Sequence, residues 1–555
     1  MKKLFYIIVC MLTVSVPLMA EQKKDLGRVS ASLESLNHFY VEDASNSFFP
    51  IRDLAQFEGK NGVYATNDYL KIDYYWKGLS AGMQLEGYFP STVGYPIPQN
   101  KLSISNLYVD WKDESFSVTA GTFYDQLGSG LLFRSWEDRT LGINNAILGA
   151  RGTYSWEDKI SAKVFAGVPR LGRLASMPQP WQEPLKFFGL GFSDVAVAAA
   201  DLRLSISQLV GMDAVSLAVE GSALYKHEGL ENIYKSLGFN ESTIGWSARA
   251  KLETSGFYAN MEYVDAGAFK IPDAGDYNSN AQLLELGYNA RGLGVSFAGR
   301  RLCRMAQKIY NYTQNNSSVD CNVLSYCPAL TSQYTYMLMT LNPYSPEVGG
   351  AKAKGGEIGG QIDAFYNFRR GTKIGGKRGM RVHANFSTYY SLNMDGGVKG
   401  GDFLFRDFSI DVEKQWTRKF KSVLMYALQD YNKYSDGHYV GMSHVVVADL
   451  LYKWTKSLST RLELQYLQSD DYHKDWVAGL LEVSFAPHWS VFASDMYNHG
   501  DSKMHYYNAG VSFTMEHLRV SAGYGRYRAG YLCSGGVCRF IPAYTGANLT
   551  LTASF

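Results

Sequence analysis

The residues best suited to act on something small and charged lie in one stretch, 124–148. There Arg134, Glu137, Asp138 and Arg139 sit beside apolar Leu131, Leu132, Phe133 and Trp136. A loop that is merely solvated has no use for the apolar half. Folded into a channel, the apolar side chains can pack on the wall while the charges, with Arg151, face one another across an opening. Fixed charges in such a constriction set the local potential for ions and polar solutes. The other reading is that the apolar half packs on a neighbouring loop or on another protein.

Cysteine chemistry comes next. Beyond Cys10 the chain carries Cys303, Cys321, Cys327, Cys533 and Cys538. Cys533 and Cys538 flank Ser-Gly-Gly-Val, whose glycines allow a tight turn, so a disulfide is expected in an oxidising compartment. Cys321 and Cys327 are expected to form a second bridge, with Cys303 left odd or pairing with either. Neither spacing is Cys-x-x-Cys, which argues against zinc; no metal or cofactor is expected.

Two further patterns are weaker. Gly78-Leu79-Ser80-Ala81-Gly82 matches a nucleophile elbow in letters, but no helix follows to expose the serine. Asp470, Asp471, His473, His499, Asp501 and His505 cluster at two loop tips; carboxylates and imidazoles could hold a metal, yet polar loops are usually just solvated. No catalytic residue, and no enzyme, is expected.

The elements that would hold these loops are strands. Leu70, Ile72, Tyr74 and Trp76 alternate with Lys71, Asp73 and Tyr75, and Leu462, Leu464 and Tyr466 with Arg461, Glu463 and Gln465. Charges of both signs on one face of a strand need a wet lumen, because a sandwich core would not tolerate them. The last strand alternates without a break from Gly546 to Phe555. A terminal Phe after such a run resembles the signal read by barrel-assembly machinery, so Phe555 is taken as an assembly signal. Counting such segments predicts an all-β, antiparallel transmembrane barrel of about 24 strands, within 22–26. Short turns alternate with long loops near 42–66, 124–148, 169–194, 304–356 and 529–544, and the mature prolines fall outside the strands so drawn.

Compartment follows from the N-terminus. Lys2 and Lys3, the apolar run Leu4 to Val16 and Leu18-Met19-Ala20 read as a signal peptide over 1–20. A short periplasmic segment, 21–27, is expected before the barrel, 28–555. Nowhere later are there ~18 consecutive apolar residues, so a membrane could be crossed only by a closed barrel. Aromatic residues make up 14% and charged residues only 19%, with 40 Tyr, which suits membrane-interface girdles. Without its first 20 residues the chain has 52 basic and 52 acidic side chains. No basic run stands out, and nucleic acid is not an expected partner.

The stretch Gly121-Thr-Phe-Tyr-Asp-Gln-Leu-Gly-Ser-Gly-Leu-Leu-Phe-Arg134, continuing to Asn145 and closing Gly149-Ala-Arg151-Gly152, resembles a block of an uncharacterised family of Bacteroidota outer-membrane barrels. Gly535-Gly-Val-Cys-Arg-Phe-Ile-Pro-Ala543 resembles that family's C-terminal hallmark. The resemblance implies the fold and the cell outer membrane, and carries no established activity or site residues.

Two functions remain open. One is a porin-like channel for small hydrophilic solutes, narrowed by inward loops. The other is a loop-closed platform in the outer-membrane lipids, binding a lipoprotein or a secreted protein through Trp181, Phe187, Phe188 and the Tyr-rich 331–344.

Overall fold

The computed structural model describes residues 26–46, 63–98, 100–171, 185–187, 190–230, 232–236, 238–271, 275–305, 307–310, 322–341, 355–393, 396–399, 401–432, 440–470 and 474–555. The expected signal peptide, Cys321, Trp181, Phe188, Asp471 and His473 lie outside them.

Alternation dictates the strands. In Leu458–Ser469, Leu462, Leu464 and Tyr466 are exposed while Glu463 and Gln465 are buried between them. Apolar outside and polar inside reverses the arrangement of a soluble protein, and suits a wall with lipid on one face and water on the other. Inside, the charges answer one another across and along strands: the Arg461 guanidinium lies 2.9 Å from Asp449 on the neighbouring strand and 2.6 Å from Glu463 on its own.

Twenty-four strands form one sheet in which every pairing is antiparallel and each strand pairs with its neighbours in sequence. Arg28–Val41 also pairs with Tyr544–Ser554, in register from Ser32↔Ser554 to Val41↔Thr545, so the sheet closes on itself. Closure leaves no edge with unpaired backbone groups, which is what permits the sheet to sit in hydrocarbon. Among the described residues no helix is long and apolar enough to cross a membrane.

At one end the connections are tight, including 77–78, 113–115, 157–159, 291–292, 486–488 and 516–517. Lys77 (φ 45°) and Gly78 (φ 83°) both take left-handed backbone, as do Arg291 and Gly292, the requirement of a two-residue hairpin whose twist matches its strands. The first barrel strand begins and the last one ends here, where Ser554 N–H donates to His517 O at 2.9 Å. Six tryptophans ring it on the outside: Trp76, Trp111, Trp156, Trp416, Trp454 and Trp489, all exposed and each within a few residues of a turn. Indoles collect where headgroups meet hydrocarbon.

The stretches read from the sequence as long loops lie at the opposite end, as 42–63, 124–146, 170–195, 304–355 and 528–543. One detail differs from the sequence reading. Pro169 is not in a loop but ends the strand Ile160–Pro169, opposite Ile147. A final position tolerates it because the ladder needs no further N–H there.

Candidate functional site

The loop 124–146 folds into the barrel. It is built from two small hairpins, Gln126–Leu127 against Phe133–Arg134 and Glu137–Asp138 against Ile143–Asn144. Their apolar side chains divide between the wall and the neighbouring loops. Leu127, Leu132 and Phe133 are fully buried, in one cluster with wall residues Phe165, Val197, Leu224 and Val264. Asp125 anchors the loop's root: Lys163 Nζ lies 2.5 Å from its Oδ1 and Arg151 Nη1 3.4 Å from its Oδ2. Farther along, Ser129 N–H donates to Glu262 at 3.1 Å.

The loop's charged half meets the opposite part of the wall. Arg139 Nη1 lies 2.6 Å from Glu34 on the first strand, and its Nη2 donates to Gln84 at 3.2 Å. Gln84 in turn donates to Glu137 at 2.6 Å, and Glu137 lies 3.4 Å from Arg139 Nε. The guanidinium also stands over the Tyr69 ring, 4.4 Å from its centre. The Arg139 and Glu34 side chains remain 24% and 32% exposed, so water reaches this seam although the other side of the loop is dry.

Two other loops lock onto the first. In 304–355, Arg134 N–H donates to Leu324 O at 2.9 Å and Tyr326 N–H to Gly130 O at 2.9 Å. The hairpin Gly530–Ser534/Val537–Ile541, closed by the Cys533–Cys538 disulfide, accepts from Cys327 N–H at Gly535 O, 2.8 Å, and Arg539 Nη1 donates to Thr140 O at 2.5 Å. Trp136, Leu141, Ile143, Val323 and Val537 make the dry centre of this three-loop junction.

The longest loop reaches across the whole mouth. Lys226 Nζ holds Lys308 O at 2.8 Å on one wall. Past the junction, Thr331 Oγ1 donates to Asp407 at 3.2 Å, and Leu338 N–H donates to Gln465 Oε1 at 2.9 Å on the far wall. There Leu338 and Met339 are buried against Met425, Val445, Val447 and Trp476. Between these loops and the wall lies a cavity of about 290 Å³, lined by Ser129, Arg249, Lys251, Glu262, Glu285 and Arg300 among others.

The charges singled out from the sequence therefore part company. Glu137 and Arg139 come together at the seam. Arg134 stacks on Tyr326, 4.0 Å from the ring centre, and stands near Trp136. Asp138 caps its own turn, accepting from Thr140 and Leu141 N–H at 2.9 and 3.0 Å. Arg151 serves Asp125. Glu34 and Gln84, which complete the seam, were not found from sequence; their only signal was a polar residue at an inward strand position.

Cys327 carries a free thiol, and Cys321, with which a bridge was expected, lies outside the described residues. The place of Cys327 in the buried core between the loops fixes it beside Arg300, and burial pushes the thiol up to about 12. Cys303 is also free and buried. Ser80 lies in the strand Leu79–Tyr88 with no helix after it. His505 pairs with Asp495 at 2.7 Å, and among the described residues no group of His, Cys, Asp and Glu could hold a metal.

The whole chain, residues 1–555, matches a family model described as a family of unknown function (DUF6029), and the chain belongs to that family. None of the curated proteins matches it. Among solved structures it is similar to the siderophore receptor PirA from Pseudomonas aeruginosa, at 9% identity over 96% of this chain and 82% of that one, TM-score 0.40. It is similar as well to the translocation pore of the P pilus usher PapC, at 9% identity over 95% and 99%, TM-score 0.42. A Rhodopseudomonas blastica porin triple mutant is similar at 14% identity over 61% and 100%, TM-score 0.28.

Proposed function

We propose that this member of the DUF6029 family is an outer-membrane barrel passing small hydrophilic solutes along a seam between loop 124–146 and the wall. One observation carries the reading. The loop is dry where Phe133 meets Phe165, but meets Glu34 and Gln84 through charges that water still reaches. A loop that served only to close the lumen would gain more from apolar packing on both sides, since burying ion pairs is costly. Below the loops the lumen wall stays charged and wet, with Lys71, Arg203 and Lys251 each about half exposed. The exposed apolar outer face and the tryptophan ring support placement in a membrane.

A second reading has its own support. The longest loop reaches from one wall to the other, and Tyr531 and Phe540, paired across the clipped hairpin, are exposed on its surface. A closed barrel presenting that hairpin to a lipoprotein or secreted protein would use both features. Planar-bilayer recording separates the two. The channel reading expects discrete conductance steps from the purified protein, and the platform reading expects silence.

A further inference from the structure

Among the connections at the tight-turn end, 369–379 is the longest and the most basic. It reads Arg369-Arg370-Gly-Thr-Lys373-Ile374-Gly-Gly-Lys377-Arg378-Gly379, five cations and no acid. Among the described residues no carboxylate pairs with any of the five. Its shape is nonetheless set. Thr372 and Gly376 bridge, Gly371 N–H donates to Gly376 O at 2.7 Å, and Gly375 N–H donates to Thr372 Oγ1 at 2.9 Å.

The direction in which it bends is also set. Lys414 Nζ donates to Ile374 O at 3.0 Å and to Gly375 O at 3.1 Å. Lys414 has the strand parity of exposed Ile410, so it stands on the outer face of Phe403–Gln415, and its ammonium lies 5.7 Å from the Trp416 ring. The turn is thus drawn over the outside of the wall, against the tryptophan ring, with Ile374 exposed at its tip. Arg418, Lys419 and Lys456 on the two following turns extend the basic surface, with exposed Trp416 and Trp454 among them.

Cations, indoles and an exposed aliphatic tip at one level are what a headgroup layer selects: indoles sit at the interface, long basic stems reach to phosphate, and the apolar tip enters the acyl boundary. We propose that turn 369–379 binds the phosphates of anionic glycerophospholipids in the leaflet facing the tight turns. A soluble acidic partner would use the cations but would leave the girdle indoles and Ile374 without a role. The site rests on the membrane placement above and is independent of whether the barrel conducts.

The test counts lipids on the purified full chain in detergent by native mass spectrometry, with equimolar phosphatidylglycerol and phosphatidylcholine offered. The wild type should carry phosphatidylglycerol with a preference of about fivefold or more, weakened by added salt. R369Q/R370Q/K373Q/K377Q/R378Q should bring the two lipids close to parity while keeping the heat-modifiable migration of a folded barrel. Should that variant fail to fold, R369Q/R370Q is read the same way, with a partial loss expected. Equal adducts on the wild type, or an unchanged preference in the folded variant, would overturn the site. So would retention of poly-glutamate by a wild type indifferent to the lipid.

Discussion

At the scale of single residues, two arginines that look alike in the sequence are given different work. Arg139 pairs with Glu34 and Glu137 at a partly exposed seam, so Arg139→Ala should leave two carboxylates facing it and shift reversal potentials toward cations. The shift should shrink as salt rises. Arg134 lies on Tyr326 inside the loop junction, and Arg134→Ala should leave selectivity nearly unchanged while loosening the junction by about 1 kcal/mol, read as faster proteolysis of the loops. Equal selectivity shifts in the two variants would remove the seam. Cys327 offers a probe of the same junction. With Cys303 and Cys321 changed to Ser, its thiol should label slowly at pH 8, because it is buried and held up to about 12, and rapidly once the protein is unfolded. The sequence showed that 124–148 mattered, because charges there sat beside apolar residues. It could not show Glu34, which lies 105 positions away and meets Arg139 only once the barrel has closed.

At the scale of elements, strands were the most legible part, since period-2 alternation survives wherever one face is wet. Their ends were less so, as Pro169 shows. The loops' inward fold was legible in part: the apolar half of 124–148 signalled packing, and the structure shows that it packs on both the wall and its neighbouring loops. The cations of 369–379 were passed over because glycines divide them into two pairs and a single Lys, which no scan for a continuous run detects. The clipped hairpin makes a prediction at this scale. Removing the bridge with C533S/C538S frees a short loop and should cost the hairpin about 2 kcal/mol, seen as faster protease cutting within 528–543. Heat-modifiable migration should persist, because the hairpin contributes no strand to the barrel. Loss of the folded band would mean that the hairpin supports the wall.

At the scale of the whole molecule, the closed antiparallel sheet, the apolar exterior and the tryptophan ring at the tight-turn end form one account: a barrel inserted with its long loops outward. Tags at Gly535 should then be accessible on intact cells and tags at Arg418 should not, and the reverse pattern would invert the barrel. Export should leave Glu21 at the mature N-terminus, and deleting Phe555 should impair insertion, since Phe555 N–H and O both pair with Ala31 and help seal the first strand to the last. The central claim, that solutes pass along a seam beside an inward loop, is tested most directly by single-channel recording of the wild type and of a chain lacking 130–140. The wild type should show small conductance steps, and the deletion should enlarge them several-fold, since it removes loop residues and no barrel strand. Silence from both proteins, with folding verified, would contradict the claim and leave the closed platform as the function of this barrel.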